Sequence, residues 1–396
     1  MKKFFYPLVN KPYRRKDILA GINALKSGKL TIGKITEKFE QKFKKKLNLN
    51  FSLMTNSGSS ANLLALQCLI NPYRKFRLKK NDEVLVPALC WSTSLWPIIQ
   101  AGLKPKFIDI DKDTLNIDLN DLKKKISKKT KAILLVHVLG LSTNMKELIK
   151  IKKKHNLILI EDTCESLGTK YSNKYLGSYG EFSSFSFHSS HQISSGEGGM
   201  ICCKNQDDYE IIKSLRSHGW LRGHKNEKKI ASDFPNLDKR FIFYNSGFNL
   251  RPTEINAAIG YSQFVDMDDF ILLRNKNRNS IIRALKRSYK ISKKISFLEI
   301  DAETKPSWFG LVVFLNKKIN KRKFIYKLEK YGVETRPIIS GNFLKQPSIK
   351  KYQIKDKFKF KNADYADDYG FYMGLPTERI KNSSLKKLVK AFEKSL

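Results

Sequence analysis

The chain has 396 residues, 41% of them hydrophobic and 11% aromatic, which is enough for a large core in two domains and excludes intrinsic disorder. Its 76 Lys and Arg against 37 Asp and Glu give a formal net charge of +39, which raises nucleic-acid binding as one function class. No zinc-finger, basic-zipper or RNP pattern accompanies the lysines, and runs such as Lys44-Lys45-Lys46, Lys123-Lys124-Lys125 and Lys152-Lys153-Lys154 are spread along the chain. The charge is therefore read as a solvated surface that would help attract an anionic substrate, with no nucleic-acid partner expected. No stretch approaches the ~18 apolar residues of a membrane span. The opening MKKFFYPLVNKPYRRKD has neither an extended apolar region nor a small-residue cleavage site. A cytoplasmic protein without a membrane partner is expected. Five cysteines (Cys68, Cys90, Cys164, Cys202, Cys203) contain no C-x-x-C. Free thiols, no iron–sulfur cluster and no metal are expected.

In chain order, periodicity predicts a helix over 14–30 with Ile18, Leu19, Ile22 and Leu25 apolar, then a turn at Thr31-Ile32-Gly33. A helix over 35–47 follows, with Ile35, Phe39 and Phe43 on one face. A long alternation comes next: strand 51–55, helix 59–70 with Leu63, Leu66 and Ile70 as its apolar face, strand 83–87, helix 92–102, strand 106–109, helix 118–126, strand 132–139, helix 145–155 and strand 157–161. Strands apolar throughout and separated by helices imply a doubly wound, mostly parallel sheet covered on both faces. Ligands gather at the carboxyl ends of such strands. Then come helix 208–217, a polar loop over 221–245 and a helical stretch from Thr253 through Arg283. A smaller α+β unit should contain strand 307–315, helix 321–331, strand 334–338 and a final helix from Ser384. The expected division is a large domain over 1–265 and a small one over 266–396, with the N-terminal segment free to pack on the small domain. There is no internal repeat.

The chemistry concentrates in residues 183–200, SSFSFHSSHQISSGEGGM. Small polar residues between two apolar strands describe a backbone brought close to a ligand. Thr55-Asn56-Ser57-Gly58-Ser59-Ser60 joins a strand to a helix, where free N–H groups can bind a phosphate or simply be capped. Asp162 ends an apolar strand, Trp91 lies between a strand and a helix, and Phe248-Asn249-Leu250-Arg251-Pro252-Thr253-Glu254 precedes a helix that Thr253 could cap.

Together these motifs resemble the DegT/DnrJ/EryC1/StrS family of pyridoxal-phosphate sugar aminotransferases, whose loop usually runs Ser-Phe-His-x-x-Lys and then Gly-Glu/Asp-Gly-Gly. The resemblance spans roughly residues 30–374 and implies the type I aminotransferase fold as a homodimer with shared active sites. By that likeness Gly58, Ser59 and Ser186 would bind the cofactor phosphate, Asp162 the pyridine nitrogen and Glu165 the ring's 3-oxygen, where Gln is usual. Trp91 would stack on the ring. Asn249 would reach the phosphate of the neighbouring subunit. His188, His218, Arg251 and Arg336 would contact or support the substrate, while His137 and His155 are expected to be structural.

The departure is at position 191, where His replaces Lys. A lysine amine bonds covalently to the pyridoxal aldehyde, whereas an imidazole only takes and gives protons. In the resembled family, His at this position is similar to the sugar 3-dehydratases. The expectation is a non-covalently held pyridoxal or pyridoxamine phosphate, with His191 as proton carrier for loss of the C3 hydroxyl from a nucleotide-linked 4-keto-6-deoxyhexose. L-glutamate would restore the amine form. A GDP-linked sugar is favoured, because the cluster-free members of that group act on one. The alternatives are an aminotransferase using His191 differently and a non-catalytic scaffold of the same fold.

Overall fold

The computed structural model describes residues 4–354, 356 and 358–396. β1 (Phe51–Thr55), β2 (Glu83–Pro87), β3 (Lys104–Ile108), β4 (Thr130–Val136), β5 (Ile158–Asp162), β6 (Phe182–Ser186) and β7 (Gly199–Cys203) form one sheet in the order β1-β7-β6-β5-β4-β2-β3. The pairs β2–β3, β2–β4, β4–β5 and β5–β6 are parallel, while β7 runs antiparallel to both β1 and β6. This is the α/β, doubly wound arrangement expected. Every residue of β6 and β7 is buried, as in a sheet covered on both sides.

The helix Gly58–Ile70 lies on β6 and β7 and is flanked by the helices Ser92–Gln100 and Gln206–Arg216. It is therefore buried nearly all round: Leu64, Ala65, Leu66, Cys68 and Leu69 are enclosed, whereas Leu63 and Ile70, expected on the buried face, are only partly so. The helix Lys34–Leu47 buries Phe39 and Phe43 as expected, and both rings pack against Phe187 and Phe264. Its start is capped by Glu254, whose carboxylate accepts from the amides of Gly33, Ile35 and Thr36 at 2.9–3.0 Å. One buried ion pair braces this layer: Arg216 reaches Glu40 at 2.9 Å and the Met54 carbonyl at 2.7 Å.

The first helix, Arg15–Lys26, is shorter than the expected 14–30 and turns its apolar residues outward. It buries Asp17, Gly21 and Ala24, and leaves Ile18, Leu19, Ile22 and Leu25 facing outward. Gly21 lets the helix sit against Ile259, and Asp17 is satisfied by Arg14, Ser262 and Gln263, so small and charged residues take the inner face. The strand expected over 132–139 stops at Val136, and Val138–Gly140 forms a turn with Leu139 in the left-handed region (φ 51°). A side chain at Gly140 would lie 2.4 Å from the Ser307 carbonyl oxygen, so only glycine admits this approach. The polar loop over 221–245 contains a short helix, Glu227–Ser232. The helical stretch from Thr253 is two helices, Glu254–Val265 and Met267–Lys286, broken at Asp266.

A second sheet holds Ile295–Ser296, Gly310–Leu315, Gly370–Gly374 and Thr335–Arg336 in that order, all antiparallel. The strands expected over 307–315 and 334–338 are shorter here, and Lys361–Tyr369 and Gly370–Gly374 had no strong signal in the sequence. Tyr6 bridges Val333 and donates to the Gly374 carbonyl at 2.9 Å, so the N-terminal segment packs on this sheet. Among the described residues no helix is long and apolar enough to cross a membrane, and no group of three or more His, Cys, Asp or Glu could hold a metal. All five cysteines are free thiols.

Candidate active site

The carboxyl ends of β5 and β6 carry the centre of the site. Asp162 ends β5 and is buried, accepting from Asn62 and Ser94 at 2.7 Å each and more weakly from Ser184 at 3.4 Å. No helix follows for it to cap; its second oxygen takes the Cys164 amide at 3.2 Å. Next to it, Glu161 points to the other side of the strand and is held by His137 (2.9 Å) and the amides of Gly177, Tyr179 and Gly180. Burial disfavours the Glu161 charge, but these four donors outweigh it and lower its pKa. His137 thus braces the sheet, and His155 is exposed at a helix end.

Glu165 lies partly buried on the loop after β5, accepting from the Leu139 amide at 3.1 Å. Desolvation pushes its carboxyl up to about 8; the Leu139 N–H opposes this and the Asp162 charge adds to it. The left-handed Leu139 is what aims that N–H at the carboxyl.

The loop between β6 and β7 brings His191 alongside. Its Nδ1 lies 2.6 Å from the Cys164 carbonyl, so Nδ1 carries the proton and Nε2 keeps a free lone pair. Burial lowers its pKa to about 4, against the pull of the Cys164 carbonyl and with help from the charges of His188 and Arg274. Phe309 meets the ring edge-on, with centroids 4.9 Å apart. The loop itself is pinned from two helices: Gln263 takes the Ser194 amide, Asn256 donates to Ser195, and Arg274 donates to the His191 carbonyl. His188 is half-exposed, 5.7 Å from His191 ring to ring, with Nδ1 3.2 Å from Ser190.

Gly58 begins its helix against this centre: a side chain there would lie 2.7 Å from both Cys164 Sγ and Ser186 Cβ. Ser57 Oγ caps the Ser60 amide at 3.1 Å, which leaves the amides of Gly58 and Ser59 with no carbonyl one turn back to bond, and the hydroxyls of Ser59 and Ser186 stand beside them. Ser59 pairs with Thr93 at 3.0 Å, which ties this turn to the segment after Trp91. The Trp91 ring is not core packing; the residue is 55% exposed, and its ring stacks on no other aromatic among the described residues. Amide and hydroxyl donors for an anion, a buried carboxylate and an open indole suit a phosphorylated heteroaromatic ring. The residues present therefore fit pyridoxal phosphate.

The remaining residues fall in two outlying groups. Asn249 is exposed, bonded to Arg251 at 3.0 Å, while Arg251 and His218 both lie against Trp220. The Leu250 carbonyl takes the Asn56 amide at 3.0 Å, so this cluster borders the Gly58 turn. Arg336 pairs with Glu334 at 2.9 Å on the small sheet, where Thr335–Arg336 runs beside Gly370–Gly374. Tyr372 on that strand packs on Phe309 and feels the charges of both Glu165 and Arg336. Asn62, Ser94, Gln192, Arg274, Phe309 and Tyr372 escaped the sequence reading. Only Asn62, a polar residue within the otherwise apolar run from Ala61 to Leu66, carried a signal.

The sequence profile of the DegT/DnrJ/EryC1/StrS aminotransferase family matches residues 13–392. The GDP-4-keto-6-deoxy-D-mannose 3-dehydratase of Escherichia coli O55:H7 is 36% identical over 376 residues, 93% of this chain and 95% of that one. The solved structure of the E. coli GDP-4-keto-6-deoxy-D-mannose-3-dehydratase with bound hydrated PLP superposes with a TM-score of 0.90 at 34% identity, covering 99% of this chain and all of that one. A GDP-4-keto-6-deoxymannose-3-dehydratase with a trapped PLP-glutamate geminal diamine gives the same TM-score and identity over 98% of this chain and 100% of that chain. With its fold, its glycine-rich loop and its carboxylate at the end of β5, the chain belongs to the DegT/DnrJ/EryC1/StrS aminotransferase family.

Proposed function

We propose that this chain removes the C3 hydroxyl of a nucleotide-linked 4-keto-6-deoxyhexose, using pyridoxal or pyridoxamine phosphate held without a covalent bond and L-glutamate as amino donor. The observation that carries this reading is His191: a neutral imidazole, tautomer set by Cys164, stands where the family's aminotransferases place lysine. The relatives named above act on a GDP-linked sugar and bind PLP, which supports GDP as the nucleotide here.

When bound, the cofactor supplies the electron sink and the carbonyl–amine exchange. The chain does the rest. The Gly58 turn, Ser59 and Ser186 would bind the cofactor's phosphate, Asp162 would pair with the ring nitrogen, Glu165 would meet the 3-oxygen and Trp91 would lie against the ring. Nε2 of His191 takes a proton and returns it to the departing C3 oxygen, so acid and base are one group. Arg336 and Arg251 offer cations for the sugar nucleotide, with His188 and His218 in support. Asn249 completes the phosphate site of a second subunit, in a cytoplasmic homodimer supplying a 3-deoxy sugar for surface glycans. The outward apolar residues of Arg15–Lys26 support that assembly. The division into 1–265 and 266–396 belongs to the same proposal, supported by the helix break at Asp266.

Purified protein given glutamate and a panel of 4-keto-6-deoxy sugar nucleotides should yield, by mass spectrometry, a sugar that has lost its C3 oxygen. A product that gains nitrogen and keeps that oxygen would make the chain an aminotransferase instead. His191→Lys should create a borohydride-reducible bond to the cofactor and stop dehydration.

A further inference from the structure

We propose that Arg274 is a positioning residue for His191, tying the catalytic loop to the segment that enters the small sheet. The inference rests on His191 being the proton carrier. Arg274 is 7% exposed and sits on the helix Met267–Lys286. One guanidinium nitrogen donates to the His191 carbonyl at 3.0 Å, the other to the Trp308 carbonyl at 3.1 Å. Its Nε has no partner, and no carboxylate pairs with it among the described residues. Burial lowers its pKa to about 10.

An uncompensated buried cation is costly, and two carbonyls could be satisfied by neutral donors. The planar fork holds two carbonyls from two nitrogens of one rigid group while keeping a charge beside the imidazole. Neighbouring contacts act in the same direction. Gln192 donates to both the Glu165 and Ser307 carbonyls, and Phe309 packs on the His191 ring, so residues 307–309 all touch the catalytic loop or its anchors. The other groups around the imidazole are Asp162 at the end of β5, Cys164 and Glu165 from the loop after it, and His188 with Glu197 from its own loop. Lys11 and Arg14 line the same cleft from the N-terminal segment, and Tyr372 lies behind Phe309. Of the groups named, Arg274 and His188 act electrostatically to depress the imidazole.

The test compares full-length Arg274→Gln and Arg274→Lys with the parent. It reads the His191 imidazole titration by NMR on cofactor-free protein, thermal melting, and steady-state dehydration. Arg274→Gln should raise the imidazole midpoint by roughly half a pH unit or more and lower kcat about tenfold with KM little changed. Arg274→Lys should keep the midpoint yet lose kcat, because a single nitrogen on a shorter side chain cannot occupy both guanidinium positions, and it remains informative if the Gln variant melts. A parental midpoint and kcat within about twofold in a folded variant would overturn the proposal, as would kcat losses that only track the unfolded fraction. His191→Asn in parallel separates the two readings. If it dehydrates at the parental rate, the role of His191 fails, while the NMR midpoint still reports on Arg274 alone.

Discussion

The backbone carbonyl of Cys164 fixes the tautomer of His191: at 2.6 Å it claims Nδ1–H and leaves Nε2 as the only basic atom of the ring. The next carbonyl, of Glu165, takes Nε2 of Gln192, so two consecutive carbonyls of one loop hold two consecutive side chains of the other. His191→Asn should keep this contact and the cofactor, but has no proton to carry. Dehydration should fall by about 10²–10⁴, with cofactor absorbance after gel filtration unchanged.

Glu165 gives a pH dependence with a definite sign. Its pKa is raised to about 8 in the folded chain, so the fold binds this proton where the unfolded chain does not, and stability falls as pH rises from the ordinary Glu range toward 8. Glu165→Gln removes that linkage, so its melting temperature should exceed the parent's at pH 8 and match it near pH 4. If the protonated carboxyl is the form that meets the cofactor, the variant should also lose the alkaline fall in kcat/KM above about 8.

His191 works in the opposite direction. Burial holds it near 4, so folding excludes a proton that the unfolded chain accepts below its ordinary histidine value. Stability should fall as pH drops from about 6.5 toward 4, and His191→Asn should flatten that part of a melting-temperature profile.

The Glu40–Arg216 pair should behave as a unit. Burial raises the Glu40 pKa and Arg216 opposes it, so the Glu40 charge depends on Arg216. Arg216→Met should destabilise by about 3–5 kcal/mol in urea unfolding, because Glu40 is left enclosed without a counter-ion. Adding Glu40→Met should recover much of that loss, which a double-mutant cycle would measure.

Ile18, Leu19, Ile22 and Leu25 present an apolar strip to the outside. Such an exposed strip suits a covering partner, and in the proposed homodimer a second copy of this chain supplies it. Ile22→Glu should convert a dimer to a monomer in sedimentation velocity. On the proposal that Asn249 serves the neighbouring site, the monomer should also lose cofactor affinity.

The alternation of apolar strands and helices made the large sheet legible, because parallel strands buried on both faces leave near-continuous hydrophobic runs such as 132–136. What could not be read was any feature set by distant packing. The outward face of the first helix depends on Gly21 meeting Ile259, and the end of β4 depends on Gly140 admitting Ser307. Within the site, the residues of the motifs lie at strand ends, where spacing is informative. Arg274, Phe309 and Tyr372 arrive from far along the chain, and nothing local distinguishes them from ordinary helix and strand positions.

Gly199 and Gly58 press together like the two faces of a gasket: a methyl on Gly199 would lie 2.4 Å from the Ser57 carbonyl carbon, and one on Gly58 would strike Ser186 and Cys164. The anion turn and the histidine loop therefore share a seam with no slack. A change of side chain at position 191 alters the chemistry the loop can do without touching that seam, which itself tolerates almost no rewriting.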